Sequence, residues 1–276
     1  MPRQEFSSLR NGLVGAWCPS LGASGLTLID RSGRGNHGTH AGSMTAASGG
    51  MTLDLTAGQS ARFPNATLLY PSLTSVTFST WVRIRSFPSG RGSLLETQSG
   101  SSSGNNFQFT PLIYSTGKLA IYIGVSGSTQ NYYDSTGAFT LTAGNWYHIC
   151  FTYLGGVALT GYVNGIQDAT VSASLASLTA STNPVLIGNS LYETRSLNAQ
   201  LDDLRFYSRV LTLAEIRLLA SRRGIGLQPL PDRGGGLPRK LSVNVGGTWR
   251  AADAYVRTET DWRLSQASVN VGGTWK

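Results

Sequence analysis

The sequence predicts an all-β protein, a sandwich or barrel with a single helix late in the chain and a small group of β-hairpins after it. Three observations carry this. Short apolar runs recur at close intervals with Gly, Ser and Asn between them, the pattern of strands joined by tight turns. Glycine reaches 34 of 276 residues while only 13% are charged, a balance that suits turns and packed strands better than solvated helices. Finally, Trp249, Trp262 and Trp275 recur every thirteen residues within similar flanks, the mark of one structural unit copied on itself.

Residues 1–10, MPRQEFSSLR, read as a polar arm. The runs that follow are LVGAW (13–17), LTSVTFSTWVRI (73–84), SLLET (93–97), KLAIYIGV (118–125) and NWYHICFTYL (145–154). LTGYVNG (159–165), PVLIG (184–188) and LDDLRFY (201–207) complete the set. In the second run apolar residues alternate through Val76 and Phe78 and, less strictly, Trp81 and Ile84, the period of a half-buried strand. Trp81 and Trp146 are bulky enough to be expected as anchors of an inter-sheet core. Asn164 and Gly165 fall where a two-residue hairpin turn needs positive φ. SGSSSGNN at 99–106 is a low-complexity loop.

One stretch reads as helix. TLAEIRLLASRR (212–223) opens with the capping pair Thr212 and Glu215, sets Leu213, Ile216, Leu219 and Ala220 on one face and stops at Gly224. Residues 224–240 have the glycine and proline content of a linker, Pro229, Pro231 and Pro238 keeping it extended. This leaves 11–223 as the main domain and 241–276 as the repeats. In the repeats, VNVGGTWR (243–250) returns as VNVGGTWK (269–276), with YVRTETDWR (255–263) between them. Val243 and Val245, and again Val269 and Val271, lead a strand into a Gly-Gly turn, and a Trp lies on the return. The middle copy has Glu259 and Thr260 in place of the glycines, so its turn is expected to be longer or different. Units this small cannot bury an apolar side alone, so these valines and the three tryptophans are the expected assembly surface, packing on their own copies or on another chain.

Composition excludes several classes. Cys18 and Cys150 are too few for a disulfide framework and lack metal-ligand spacing, so buried thiols are expected. No run approaches eighteen apolar residues, and the first residues lack the apolar centre of a secretory signal, so neither membrane insertion nor standard export is expected. The net charge is +8, of which +6 (ten basic, four acidic residues) falls from Arg217 onward, leaving twelve basic and ten acidic residues before it. With no Lys/Arg cluster, that tail points to an acidic protein surface rather than nucleic acid.

Four segments in order resemble the laminin G-like, concanavalin A-like jelly-roll family. They are NGLVGAW with IDRSGRGNHGTHAG (11–17 and 29–42), VTFSTWVRI, GNWYHICFTYLGGVALTGYVNGIQD (144–168), and PVLIGNSLYETRSLNAQLDDLRFYSRVLTLAEIRLL (184–219). The resemblance implies a concanavalin A-like jelly-roll β-sandwich over 11–223, with one short C-terminal helix, followed by the hairpin repeats. It also implies a structural Ca²⁺, with Asp30, Asn36 and Asp202 at the matching positions. Hard oxygen ligands of this kind suit Ca²⁺, with carbonyls and water completing its shell. The alternative for Asp30 is a turn with Ser32 and Gly33, and for Asp202 the acceptance of backbone hydrogen bonds.

Catalysis finds no support in the motifs. Glycoside hydrolysis needs two carboxylates flanking the bond, and the nearest pair, Asp202 and Asp203, would point to opposite faces of a regular strand. His37 and His40 have no third zinc ligand nearby and sit in a glycine-rich loop expected to be exposed, while His148 reads as a core or edge histidine. A G-x-S-x-G elbow and a Walker loop are absent. The expected function is therefore non-enzymatic. The V-x-x-G-x-W-K units are similar to C-terminal elements of bacteriophage structural proteins, which implies a virion protein made in the host cytoplasm. It would be displayed on capsid or tail as decoration or fibre, held to other virion proteins by its repeats, homo-oligomeric with a trimer favoured, and able to touch host glycans. The alternative is a soluble carbohydrate-binding protein or a glycoside hydrolase accessory module.

Overall fold

The computed structural model describes residues 6–21, 26–40, 43–47, 50–56, 58–63, 73–97, 109–125, 128–134, 139–178, 184–190 and 195–227, and in the C-terminal part 241–245, 248–252, 255–257, 262–264, 270–271 and 274–275. The chain divides into two compact units, Met1–Leu230 and Pro231–Lys276.

The first unit opens with β1 (Leu13–Trp17), β2 (Thr27–Leu28), β3 (Gly38–His40), β4 (Ser43–Ala47), β5 (Gly50–Leu55) and β6 (Ala61–Phe63). Next come β7 (Ser75–Ser86), β8 (Arg91–Ser93), β9 (Leu95–Glu96), β10 (Thr110–Tyr114), β11 (Leu119–Val125) and β12 (Ser128–Asp134). It closes with β13 (Trp146–Leu154), β14 (Ala158–Val163), β15 (Ile166–Ser172), β16 (Val185–Ile187), β17 (Asn198–Tyr207) and helix α1 (Leu213–Ser221). An eight-stranded antiparallel sheet runs β15-β14-β13-β7-β17-β5-β4, with β1 also on β17. Opposite it lie a four-stranded sheet, β12-β11-β10-β8, and a five-stranded sheet, β2-β3-β6-β16-β9. The result is the expected jelly-roll sandwich.

Alternation along the strands decides what lies between the layers. Val76, Phe78, Val82 and Ile84 of β7 and Ile149, Phe151 and Tyr153 of β13 face inward from the large sheet. They meet Ile113 of β10, Leu119, Ile121 and Ile123 of β11, and Val185 and Ile187 of β16. Phe109 and Phe206 meet edge to face across the layers, with ring centroids 6.0 Å apart. The tryptophan in this core is Trp17, 4.3 Å from Phe63 between ring centroids. Trp81 and Trp146, the expected anchors, sit half-buried on the other face of the large sheet, because they occupy the polar phase of β7 and β13 beside His148. Trp81 donates its indole N–H to the Leu219 carbonyl of α1 at 3.2 Å.

That outer face carries a second apolar cluster, built from Leu9, Leu13, Cys18, Cys150, Tyr207, Ile216, Leu219, Ile225 and Leu227 among others. Both thiols are buried and free, and burial pushes each well above the usual thiol range. The polar-arm expectation is corrected for the described residues 6–10: Ser7–Arg10 form a 3₁₀ turn whose Leu9 is buried in the same cluster as Ile216 and Leu219 of α1. The linker boundary shifts for the same reason, since Ile225 and Leu227 pack into the cluster. The capping box of α1 is present, with Thr212 Oγ1 accepting from Glu215 N and the Glu215 carboxylate accepting from Thr212 N. Leu213 is 42% exposed rather than part of the buried face. Asn164 (φ 51) and Gly165 (φ 76) make the expected turn.

In the second unit the strands are β18 (Leu241–Val245), β19 (Thr248–Ala252), β20 (Tyr255–Arg257), β21 (Trp262–Leu264), β22 (Asn270–Val271) and β23 (Thr274–Trp275). They form three two-stranded hairpins, one per repeat. Val245 pairs with Thr248 and Val271 with Thr274, and in the middle copy Arg257 pairs with Trp262; the expected difference in the middle turn, at Glu259 and Thr260, lies outside the described residues. Val269 and the loop at 99–106 lie outside the described residues.

Candidate functional site

The three residues expected to hold Ca²⁺ are all buried, but each is engaged by protein groups. Asp30 Oδ1 accepts from Ala16 N (2.9 Å) and Ser32 N (2.8 Å), and its Oδ2 accepts from Ser32 Oγ (2.7 Å) and Asn36 N (2.9 Å). Four donors occupy both oxygens, so the carboxylate acts as the anion that folds the loop back onto β1. Asn36 donates from Nδ2 to the Val14 carbonyl (2.9 Å), and its own carbonyl accepts from Trp17 Nε1 (2.8 Å). Asp202 accepts from Ser20 N (3.2 Å) and faces Arg223 Nη1 at 3.7 Å, a cation where a metal would stand. Burial holds its carboxyl above the usual range. These residues do not fit a hard divalent ion, which needs six to eight oxygens with free lone pairs. Among the described residues, no group of three or more His, Cys, Asp or Glu could hold one.

Asp202 and Asp203 do not diverge as a regular strand would require. Asp203 has φ 49, and the β17–β7 pairing passes from Asp202↔Trp81 to Arg205↔Ser79, leaving one extra residue on β17. This β-bulge reverses the phase of the strand. Leu201 and Leu204 therefore both enter the core, while Asp202, Asp203 and Arg205 gather on the outer side. Arg205 forms a two-pronged pair with Asp203 (2.7 and 2.9 Å) and donates to the Ile225 carbonyl (2.6 Å), and Gly224 N donates to Asp203 (2.7 Å). The pair is fully buried and serves to fasten residues 224 and 225 onto the sheet.

His40 is buried rather than exposed, while His37 is exposed and its Nδ1 accepts from Asp30 N at 3.1 Å. His148 is fully buried, its Nε2 2.8 Å from Ser79 Oγ. Burial first and Arg205 second push it down to about 3, so the imidazole is neutral. This Ser–His pair lies under Trp81, without access for a substrate.

The surface best equipped to hold a ligand lies on the four-stranded sheet, on the side away from the core. Arg91 and Tyr114 stand opposite one another on β8 and β10, and Tyr122 projects from β11 in the same phase. Arg91 Nη1 donates to Tyr122 Oη at 2.8 Å, the Tyr114 and Tyr122 hydroxyls meet at 2.8 Å, and the guanidinium lies 5.2 Å over the Tyr122 ring. The three form a hydrogen-bonded canopy on this face, in the same phase as Leu112 and Ala120, which are fully buried. Beside it, Glu96 accepts from Ser93 Oγ (2.9 Å) and Ser190 Oγ (2.5 Å), with Arg195 Nη1 3.8 Å away. The half-buried Tyr114 ring and the Arg91 guanidinium stacked on Tyr122 are flat groups with a rim of hydroxyl and N–H groups, the chemistry that holds a sugar ring. Sequence reasoning missed these residues. The signal was there in LIYS and LAIYIGV, where Tyr114 and Tyr122 break into the non-core phase of otherwise apolar strands.

A laminin G type family model, described as the concanavalin A-like lectin/glucanases superfamily, matches residues 55–217. The chain belongs to the concanavalin A-like lectin/glucanase superfamily. Comparison with curated proteins finds no match. Among solved structures, this lectin-like sandwich is similar to the binding domain of Paraclostridial mosquitocidal protein 1 (TM-score 0.62, 16% identity, 77% of this chain and 52% of that one). It is also similar to domain 4 of AbnA, a GH43 extracellular arabinanase from Geobacillus stearothermophilus solved with arabinotriose (0.58, 18%, 75% and 98%). A third is botulinum neurotoxin type C, whose cell entry depends on two ganglioside molecules (0.60, 15%, 78% and 52%). The chain thus spans about half the length of the two toxin chains, and at these identities the likeness is one of fold.

The expected assembly residues fall within the hairpins: Val243 and Val245 on β18, Trp249 on β19, Trp262 on β21, Val271 on β22 and Trp275 on β23. Trp249 pairs with Asn244, Trp262 with Arg257 and Trp275 with Asn270, the equivalent position in each copy, so all three hairpins share one register.

Proposed function

We propose that this protein is a non-enzymatic, glycan-binding structural protein of a bacteriophage virion, displayed on capsid or tail. Its sandwich binds sugar at the Arg91–Tyr114–Tyr122 canopy, and its hairpin repeats join it to other virion proteins. The observation that carries the binding half is the canopy itself: two hydroxyls, a guanidinium and ring faces held on a rigid sheet. The descriptions of two of its fold relatives, with arabinotriose and with gangliosides, point the same way. The non-catalytic reading draws on Glu96, whose carboxylate beside the canopy is already held by two serine donors with Arg195 nearby. The virion half draws on the three hairpins, since an isolated two-stranded hairpin is marginal in water and needs a partner surface.

A glycan array with the intact chain tests the first half. Binding should fall at least about tenfold in Tyr122→Ala and Arg91→Ala, the loss expected when a stacked, hydrogen-bonded anchor is removed. An array without a hit, or variants that bind like the parent, would sink it. For the second half, deleting residues 241–276 should leave the sandwich folded and abolish incorporation into purified particles, while unchanged incorporation refutes the role. A second reading, an accessory module of a glycoside hydrolase, is favoured by the coverage of 98% of the arabinanase domain. Selective binding of arabino-oligosaccharides by a soluble monomer absent from particles would establish it.

A further inference from the structure

The folded sandwich sorts its charges by sign. Of the seven acidic side chains described, six are buried and Asp168 is half-buried. Of the fourteen basic ones, only Arg31, Arg195 and Arg205 are buried, so eleven cations meet solvent with almost no carboxylate among them. Among the described side chains, the charges that meet solvent are therefore almost all cationic.

Four of these cations gather at one end of the large sheet's outer face. Arg83 stands opposite Trp146 in the β7–β13 register and donates from Nε to the Gly144 carbonyl at 2.7 Å. The Arg223 guanidinium lies 4.5 Å over the Trp146 ring. Trp81 ties the last turn of α1 to the same end, so Arg222 emerges beside Arg223. Arg217 lies against the Asn164–Gly165 turn, its Cα 3.1 Å from where a Cβ on Gly165 would sit, and Asn164 in turn bonds to His148 opposite Trp81. Arg217 and Arg222 are exposed and form no hydrogen bond or ion pair with a described residue. The nearby carboxylate, Asp202, is buried behind Arg223.

We infer that this surface binds a polyanionic glycan, a sugar polymer bearing carboxylate, sulfate or phosphate groups. Guanidinium forks match such anions two oxygens at a time, and a surface of one sign concentrates a polyanion before contact. Single-stranded nucleic acid would need open aromatic faces for base stacking. Here Arg223 covers Trp146, and Trp81 is half-buried beneath α1. The surface shares no residue with the Arg91–Tyr114–Tyr122 canopy, so the two stand or fall separately.

The test measures binding of the full chain to polygalacturonate and to dextran sulfate, with neutral dextran and oligo(dT) as comparisons. One or both acidic polymers should bind at low salt, showing which anion is preferred, and binding should weaken at least about tenfold once salt screens the charges. Dextran should not bind. R217Q/R222Q should weaken binding about tenfold, while R34Q/R62Q, two exposed arginines elsewhere with the same charge change, should stay within about twofold. Failure of both polymers to bind overturns the inference. Equal losses in the two variants would mean that net charge alone acts, and tighter binding of oligo(dT) would make nucleic acid the partner.

Discussion

Lowering the pH from 7.5 to 5 should cost this sandwich about 2 kcal/mol of stability, through one residue. His148 is fully buried, touches Ser79 through Nε2 and has Arg205 nearby, and its folded value of about 3 lies far below the ordinary 6.5. Folding thus excludes a proton that the unfolded chain takes up. The contribution is whole above pH 6.5 and is lost as the pH falls from there toward 3, because the unfolded state then binds more protons. At pH 5 the unfolded imidazole lies 1.5 units below its midpoint, which at 1.36 kcal/mol per unit gives about 2 kcal/mol. Glu215, whose folded value is about 2 against an ordinary 4.5, adds little until the pH falls below 4.5. Asp202, held upward by burial, acts with the opposite sign. Urea unfolding at the two pH values, for the parent and His148→Gln, isolates the effect. The parent's midpoint should drop by about 0.7 M for a slope near 3 kcal/mol/M. The variant should show no such drop, even if it is less stable at pH 7.5. An equal drop in both proteins, or none in the parent, refutes the account.

Glu215→Ala removes the carboxylate half of the capping box, while the backbone N–H at 215 still bonds to Thr212 Oγ1, and it removes the two-pronged pair with Arg209, at 2.7 and 2.8 Å. A loss of about 2 kcal/mol is expected, allowing for screening of the partly exposed Arg209, and should read as a melting temperature lower by about 5 °C. Gly155→Ala should destabilise by more than about 2 kcal/mol, because its Cβ would lie 1.9 Å from the Ala176 carbonyl oxygen, whereas Gly90→Ala, with open space around it, should fall within about 0.5 kcal/mol of the parent. Chemical denaturation of the two variants compares them directly. Because Asp30 is saturated by protein donors, EDTA or added Ca²⁺ should move the melting temperature by less than about 1 °C, and a larger calcium-dependent rise would restore a metal site.

Periodicity made the strands legible, since β7, β11, β13 and the Asn164–Gly165 turn declare themselves by alternation and by residue type. The capping box of α1 was legible for the same local reason. Which face of a strand becomes the core was not. Trp81 and Trp146 are bulky but in the polar phase, and the second cluster on that outer face is assembled from Leu9, Ile225 and other residues distant in sequence. Nor was the bulge at Asp203 legible, because positive φ at an aspartate follows from the buried Arg205 and the chain returning at Gly224. Asp30 was expected as a calcium ligand or as the head of a turn with Ser32 and Gly33, and Ser32 N does donate to it. Its partners turned out to be amide and hydroxyl donors, which a carboxylate in a sequence does not distinguish from a cation. The canopy escaped notice because its members come from three strands and are joined only by register.

The Asp203–Arg205 pair has a mechanical consequence. A pull on the chain beyond Leu227 would reach residues 224 and 225, which hang from β17, a strand paired on both sides within the large sheet. Load would therefore enter the sandwich at an interior strand, as shear across many hydrogen bonds at once, and would not peel an edge strand bond by bond. Arg205→Met should lower the force at which a single molecule, pulled through its C-terminal segment, first gives way. A protein tethered by its tail would thus carry strain where its sheet is strongest.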